Sequence, residues 1–515
     1  MKTRRPNILL IMADQLPPRV LGAYGGPVPT PGLDRLCETG VVFDQATTPF
    51  PVCSPARASL VTGMHPHAHG IVHNVMSQDY SAVASSPHDR GISASDQTTE
   101  GLLHASGYQT YHRGKWHLSD EPLPYYADWY REMQEYGFEL RPDFDAAAAS
   151  PQSMNWYGWT LPVDVSPLVL ERFFGAGNSK NEDNASSAYR RFDEFIGKMG
   201  RLLWPEEMTY DHRVTTKAIQ CIEQAVASDQ PFTVTCSLNN PHDPNVVPDP
   251  YYHMFDPDEI SLPASFGFCE ERHRDSLSWQ LATRLGEAGV REFLRIHYAQ
   301  VAMTDAQIER LLATLDRCGI ANDTLVLFVG DHGDMVGGHG MIWKSTEAFY
   351  DELVRVPLVM RWPGWLTPGR DSRCVSLVDV MPTLLEAAGV GEYDPVHGQS
   401  LLGSTSADWP SYAVTQRFVG HDSTSRHVSS EDRMSIMIRT PTHKFVRYHD
   451  GAEEFYDLAS DAGELVNLAS NRGGAGERHL LLSQLTGWMR QTAHPHHDLF
   501  ARLLEPEFPS RSSGR

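Results

Sequence analysis

The residues with the most chemical capacity lie in the segment Pro51-Val52-Cys53-Ser54-Pro55-Ala56-Arg57-Ala58-Ser59-Leu60-Val61-Thr62-Gly63. Pro55 falls in the first turn of a helix that Arg57 to Val61 would continue, which puts Cys53 at a helix N-terminus. Free backbone amides and the helix dipole favour an anion there, so the thiol is a candidate nucleophile and Arg57 a candidate partner for negative charge. A buried, inert cysteine is the commoner use of that side chain, and the company Cys53 keeps must decide. Asp14 follows the apolar run Ile8 to Met12, Lys115 and His117 follow Thr110–Arg113, and His242 follows Phe232–Leu238. Asp331 and His332 follow Thr324–Val329, with Lys344 further along. Asp14, Asp331 and His332 offer hard oxygen and imidazole donors, which suit Ca²⁺, Mn²⁺ or Mg²⁺ rather than a thiolate zinc site. Such an ion would act as a Lewis acid. Arg57, Lys115 and Lys344 would neutralise a transferring anionic group, and His117 and His242 would move protons at a leaving oxygen. Taken as ordinary structure, Asp14 and Asp331 would cap helices, while Lys344 and Asn74 would be solvated or turn-forming. Two acidic strand ends beside a reactive cysteine favour ligation.

Such groups need a frame that brings several strand ends together. Short apolar runs alternate with helical patterns along the chain, as in a parallel α/β sheet. The strand candidates are Asn7–Met12, Thr110–Arg113, Phe232–Leu238, Thr324–Val329 and Val356–Met360. In open α/β sheets ligands bind beyond the carboxyl ends of the strands, so the polar residues after the first four should converge at one edge. Leu377 to Ala388 reads as a helix ended by Gly389. From about Ser411 the texture becomes β-rich, with Met434–Arg439, His443–Tyr448 and Glu454–Asp457 as candidate strands. The expected fold is therefore α/β, with a large mixed, mostly parallel sheet flanked by helices over residues 1–400. A smaller C-terminal antiparallel β subdomain with a tail is expected over 401–515. The stretch from about Ser119 to Met208 lacks sustained periodicity and is expected to form loops and short helices over the active face.

Composition narrows the function classes. The chain has 515 residues, 41% hydrophobic and 21% charged, with 43 Lys+Arg against 65 Asp+Glu for a net charge of −22. That excludes collagen, coiled coil and bulk disorder, and an acidic surface repels nucleic acid and anionic lipid. A basic residue pair and an apolar run open the chain, but the run is short and ends in Asp14, so a buried first strand is expected rather than a signal peptide. No stretch approaches a membrane span. The seven cysteines are scattered without a CxxC pair, which suits a reducing, cytoplasmic setting. His494-Pro495-His496-His497 reads as a polar tail, and His65, His67 and His69 receive no role.

The C-x-P-x-R core Cys53 to Arg57, with Thr62-Gly63 behind it, resembles the signature of the formylglycine-dependent sulfatases of the alkaline phosphatase superfamily. Gly107 to Leu118, with Lys115 and His117, resembles the second sulfatase signature. Asn240-Pro241-His242-Asp243-Pro244 is similar to the family's Pro-His segment, and Gly330-Asp331-His332-Gly333-Asp334 with Lys344 to its metal-and-lysine segment. Glu454-Phe455-Tyr456-Asp457-Leu458, followed by Glu464, Asn467 and Leu468, resembles the family's small-subdomain pattern. The matches occur in family order. The resemblance implies an alkaline phosphatase-like sheet and hydrolysis of a small-molecule sulfate ester. It also implies oxidation of Cys53 to formylglycine by a formylglycine-generating enzyme, with the hydrated aldehyde as nucleophile. One divalent cation, Ca²⁺ ahead of Mn²⁺ or Mg²⁺, would be held by Asp14, Asp331, His332 and the modified Cys53, with Gln15 as an outer oxygen. Lys115 and His117 would contact the sulfate, His242 would be the leaving-group acid, and His117 the base that opens the hemiacetal. Asn74 and Asn240 are further substrate-binding candidates.

Asp14-Gln15 stands where many members carry adjacent aspartates, Asp331-His332 where many carry Asp-Asn, and Ala56 where serine is frequent. The first two variants occur in the choline-sulfatase and phosphonate monoester hydrolase branches, so phosphonate monoester or phosphodiester hydrolysis is the alternative. The Lys115-Trp116-His117 pairing favours sulfate. Neither nucleic acid nor membrane is expected as a partner, homo-oligomerisation stays open, and the alcohol half of the substrate is not legible.

Overall fold

The computed structural model describes residues 5–75, 91–119, 154–156, 159–161, 163–169, 199–228, 230–345, 348–403, 409–418, 434–471 and 474–501. The central sheet is built from β1 (Asn7–Asp14), β2 (Val41–Thr47), β3 (Gln109–Gly114), β4 (Phe232–Pro241), β5 (Thr324–Gly330), β6 (Leu358–Arg361) and β7 (Gly369–Ser376). Their spatial order is β7-β2-β6-β5-β1-β4-β3. All neighbouring pairs run parallel except β5–β6 and β6–β2, which are antiparallel. The sheet is therefore mixed and mostly parallel, as expected.

Every residue of β1 is buried, because helices cover both faces. The period of two along a strand sorts its side chains between two cores. Leu9 and Ile11, with Val326 and Phe328, join one core with α3 (Tyr210–Val226) and the helical run α4 (Leu277–Arg317), which is interrupted at Gly286. Ile8, Leu10 and Met12, with Leu325 and Leu327, join the other with α2 (Cys53–Thr62) and α5 (Val380–Ala387). A remaining helix, α1 (Pro31–Thr39), lies beside α4 and β6.

A second sheet, β8 (Ala413–Phe418), β9 (Met434–Arg439), β10 (His443–Arg447) and β11 (Glu453–Asp457), is antiparallel throughout. Helix α6 (Ala475–Gln491) packs Leu481, Leu485, Trp488 and Met489 against Ile436, Ile438 and Phe445 of that sheet. Much of the stretch from Ser119 to Met208 and the tail beyond 501 lie outside the described residues.

The His494 cluster corrects the polar-tail reading. His494 is 3% exposed, and its ring lies 4.4 Å from that of His67 and 5.7 Å from that of Trp488. His65 and His397 stack at 5.5 Å in the same cluster. Among the described residues, no helix is long and apolar enough to cross a membrane.

Candidate active site

Four strand ends meet where the sheet hands its chain to loops. Asp14 is paired in register with Pro241, Asp331 N donates to Ala13 O at 3.1 Å, and Lys115 N donates to Ser237 O at 3.0 Å. The ends of β1, β3, β4 and β5 thus present Asp14, Lys115, His242 and Asp331-His332 to one volume. Helix α2 points its first residue into that volume, and Asn74 Oδ1 accepts from Ser54 N at 3.1 Å, capping one of the free amides. Cys53 is fully buried, while Lys115 and His242 at the same strand ends keep 11% and 14% of their side chains exposed.

Around Cys53 Sγ stand His332 Nε2 at 3.2 Å, Lys344 Nζ at 3.5 Å, Asp14 Oδ1 at 3.6 Å and Lys115 Nζ at 3.7 Å. Burial alone would raise the thiol's pKa, but Lys115, Lys344, His332 and His117 together hold it well below the usual thiol range. Burial likewise opposes ionisation of Asp14, and Lys115, His242 and Arg57 more than offset that, so its carboxyl stays well below the ordinary range. Asp331 moves the other way, raised by burial and by the Asp14 charge. His332 is raised despite burial, through Asp331 and Cys53. Its Nδ1 faces the Gly333 carbonyl oxygen at 2.9 Å, which fixes the tautomer and leaves Nε2 for the site.

Arg57 is buried between the two acids. Nε donates to Asp331 Oδ2 at 2.8 Å, Nη2 to Asp14 Oδ2 at 3.0 Å, and Nη1 to Ser237 Oγ at 2.7 Å and Lys115 O at 2.8 Å. Its charge therefore acts on the carboxylates and reaches a bound anion only through them. Lys115 Nζ also lies 2.6 Å from Asp14 Oδ2.

Lys344 and His242 form a pair, Nζ to Nε2, at 2.8 Å. His242 Nδ1 sits 2.8 Å from Asp243 O, an acceptor only, so Nδ1 carries the proton and Nε2 faces the lysine. His117 touches Cys53, and its Nδ1 is buried without a hydrogen-bond partner among the described residues. Gln15 donates through Nε2 to Asp334 Oδ2 at 2.6 Å and accepts from Lys344 Nζ at 3.1 Å. Gln15, His117 and Trp343 have φ of 62°, 61° and 59°, a conformation that costs free energy for residues with a side chain.

Asn240 does not aim its side-chain oxygen at this volume; Oδ1 accepts from Gln300 Nε2 at 2.9 Å. Sequence reasoning passed over Asp334, Ser237, Asp211 and Gln300. Asp211, whose pKa burial raises to about 6, accepts from the backbone amides of Asn239 and Asn240 at 2.7 and 2.9 Å. The signal available was Asp334, within the Gly330 to Asp334 motif.

Asp14, Cys53, Asp331 and His332 each contribute a ligand atom lying within 4.8 Å of the others, and all four residues are buried. The two carboxylates suit a hard divalent cation, whereas the Cys53 sulfur is a soft donor and would fit such an ion only with an oxygen in its place.

A family model described as Sulfatase matches residues 6–390, and one described as N-sulphoglucosamine sulphohydrolase, C-terminal, matches residues 337–491. The chain is 24% identical to an N-acetylglucosamine-6-O-sulfatase of Bacteroides thetaiotaomicron, over 95% of this chain and 87% of that one. It is 27% identical to a choline-sulfatase of Rhizobium meliloti, over 92% and 84%. The structure of a phosphonate monoester hydrolase of Agrobacterium radiobacter is similar with a TM-score of 0.69 at 23% identity, covering 95% of this chain and 96% of that one.

Proposed function

The chain belongs to the sulfatase family, and from that premise we propose that it hydrolyses sulfate monoesters with an oxidised Cys53 as nucleophile and one divalent cation beside it. The observation that carries this reading is the meeting of Lys115, Lys344 and His332 within 3.7 Å of one buried cysteine sulfur. Oxidation of Cys53 to formylglycine would supply a hydrated aldehyde, an oxygen nucleophile in place of sulfur. Asp14, Asp331, His332 and the modified Cys53 would hold the cation, which when bound supplies a Lewis acid at the nucleophilic oxygen.

The remaining steps belong to the side chains. Lys115 and Lys344 attract the singly charged sulfuryl group and balance the charge that grows on its oxygens as the bridging S–O bond lengthens. The His242–Lys344 pair gives a proton to the bridging oxygen, so the alcohol departs neutral. His117, in contact with Cys53, takes the proton released when the nucleophile is regenerated. Water completes the balance, since ester and water give alcohol, sulfate and a proton. Arg57 holds both carboxylates in place and favours their charged forms.

The relatives' names point to sugar and choline sulfates, and the alcohol half for this chain is left to measurement. The phosphonate or phosphodiester reading is supported by the Asp14-Gln15 and Asp331-His332 variants, which that branch shares. A panel of aryl sulfate, alkyl sulfate, phenylphosphonate and phosphodiester decides between them. The expected result is higher kcat/KM for a sulfate ester than for any other member. A higher value for phenylphosphonate would transfer the assignment. Peptide mass spectrometry across Pro51–Arg57 should find the aldehyde or its hydrate; an unmodified thiol in a fully active preparation removes the proposed nucleophile.

A further inference from the structure

The acid pair His242–Lys344 is assembled from two segments far apart in sequence, and one buried side chain binds them together. Gln300, on α4, is 0% exposed. Its Nε2 donates to Asn240 Oδ1 at 2.9 Å, Pro244 O at 3.1 Å and His242 O at 3.4 Å, and its Oε1 accepts from Asn245 Nδ2 at 2.9 Å. The carboxamide thus grips the loop on both sides of His242. Asn245 passes the constraint on, because its Oδ1 accepts from Trp343 Nε1 at 2.8 Å. Trp343 immediately precedes Lys344 and holds a left-handed φ of 59°.

We propose that Gln300 is a positioning residue for leaving-group protonation, fixing through Asn245 and Trp343 the approach of Lys344 to His242. The proposal rests on the role given above to that pair. Gln300 makes no hydrogen bond to Cys53, Asp14, Asp331 or either lysine among the described residues, so it acts only through the loop and Trp343. A buried amide with two donor hydrogens and one acceptor suits this setting, where three oxygens and one N–H converge. An apolar side chain of similar size would leave those groups without partners in a low dielectric, and the loop would shift to find others. Displacement of an acid by a fraction of an ångström costs rate where the proton is needed, and little where the leaving group departs unaided.

The test is kcat/KM along a series of sulfate monoesters from nitrophenyl to alkyl, for the wild-type enzyme, Gln300→Leu, Trp343→Phe and His242→Ala, with thermal unfolding of each. Gln300→Leu should lose about thirtyfold on the alkyl ester and only a few fold on the nitrophenyl ester. Trp343→Phe, which removes one N–H and keeps the ring, should shift the same way by about threefold. His242→Ala should steepen the leaving-group dependence most. If His242→Ala is selective but Gln300→Leu and Trp343→Phe lose equally on all esters, or nothing, the positioning role is overturned and the role of His242 stands. If His242→Ala itself loses equally on all esters, the acid assignment falls, and this inference with it. Should Gln300→Leu fail to fold, an unchanged slope for Trp343→Phe is sufficient to overturn the proposal.

Discussion

At Arg57 the guanidinium uses all three nitrogens on Asp14, Asp331, Ser237 and the Lys115 carbonyl, and the side chain is 2% exposed. Removing one partner of a buried charged pair strands the other. Arg57→Met should therefore cost about 3–5 kcal/mol in denaturant unfolding, and a loss below about 1 kcal/mol would show the carboxylates to be stable without it. Asp331→Asn tests the cation directly, since it should lose bound ion and activity together. Elemental analysis finding two tightly held ions per wild-type chain would contradict the single-ion site. The sequence showed these residues by type, since a cysteine before a helix and acids after apolar runs are visible as strings. Gln300 and Asp211 were not visible, because a glutamine within a helical run and an acid at a helix start carry no local mark of a partner tens of residues away.

Elements were legible where burial is two-sided. Strands β1 and β5 are near-continuous apolar runs and β4 is buried with small Thr and Ser between its apolar residues, because helices cover both faces, and their ends converge as the open-sheet rule requires. Strand β2 mixes Asp44 and Gln45 into its run, and edge strand β7 begins with exposed polar residues, so neither reads as a strand from pattern alone. The join between β3 and Lys115 is the most demanding. Gly114 has φ 95°, and a Cβ there would lie 1.9 Å from Ser237 O. Gly107 has a similar φ of 89° with nothing within 4 Å. Gly114→Ala should push Lys115 from its place and lower kcat/KM by about a hundredfold. Gly107→Ala should cost only about 1 kcal/mol of stability, with turnover within about twofold. Equal effects on turnover would show that the crowding at Gly114 does not govern Lys115.

Across the whole molecule, two buried clusters tie the small sheet and α6 to the central sheet. Lys444 Nζ, fully buried, lies 2.6 Å from Asp351 Oδ1 and 2.5 Å from Glu464 Oε1, while Arg439 donates twice to Asp351. The second cluster is His65, His67, His397 and His494 around Trp488. Burial lowers His397 to about 4 and His494 to about 3, with neighbouring histidines adding to the effect. Their folded values lie below the unfolded value of about 6.5. Between those limits the unfolded chain binds more protons, so this contribution is complete above about pH 6.5 and is lost as pH falls toward 4. Melting temperature should decline through that window, and His494→Gln should flatten the decline; an equally steep decline would remove the cluster from the account. The burial of Cys53 has a consequence in time. A side chain with no accessible surface, covered by the sheet ends and by two lysines, offers no approach to another protein once the sheet has closed. Any enzyme that rewrites this residue must meet it on a chain still being made or not yet folded, and protein that has finished folding with its thiol intact has missed that appointment.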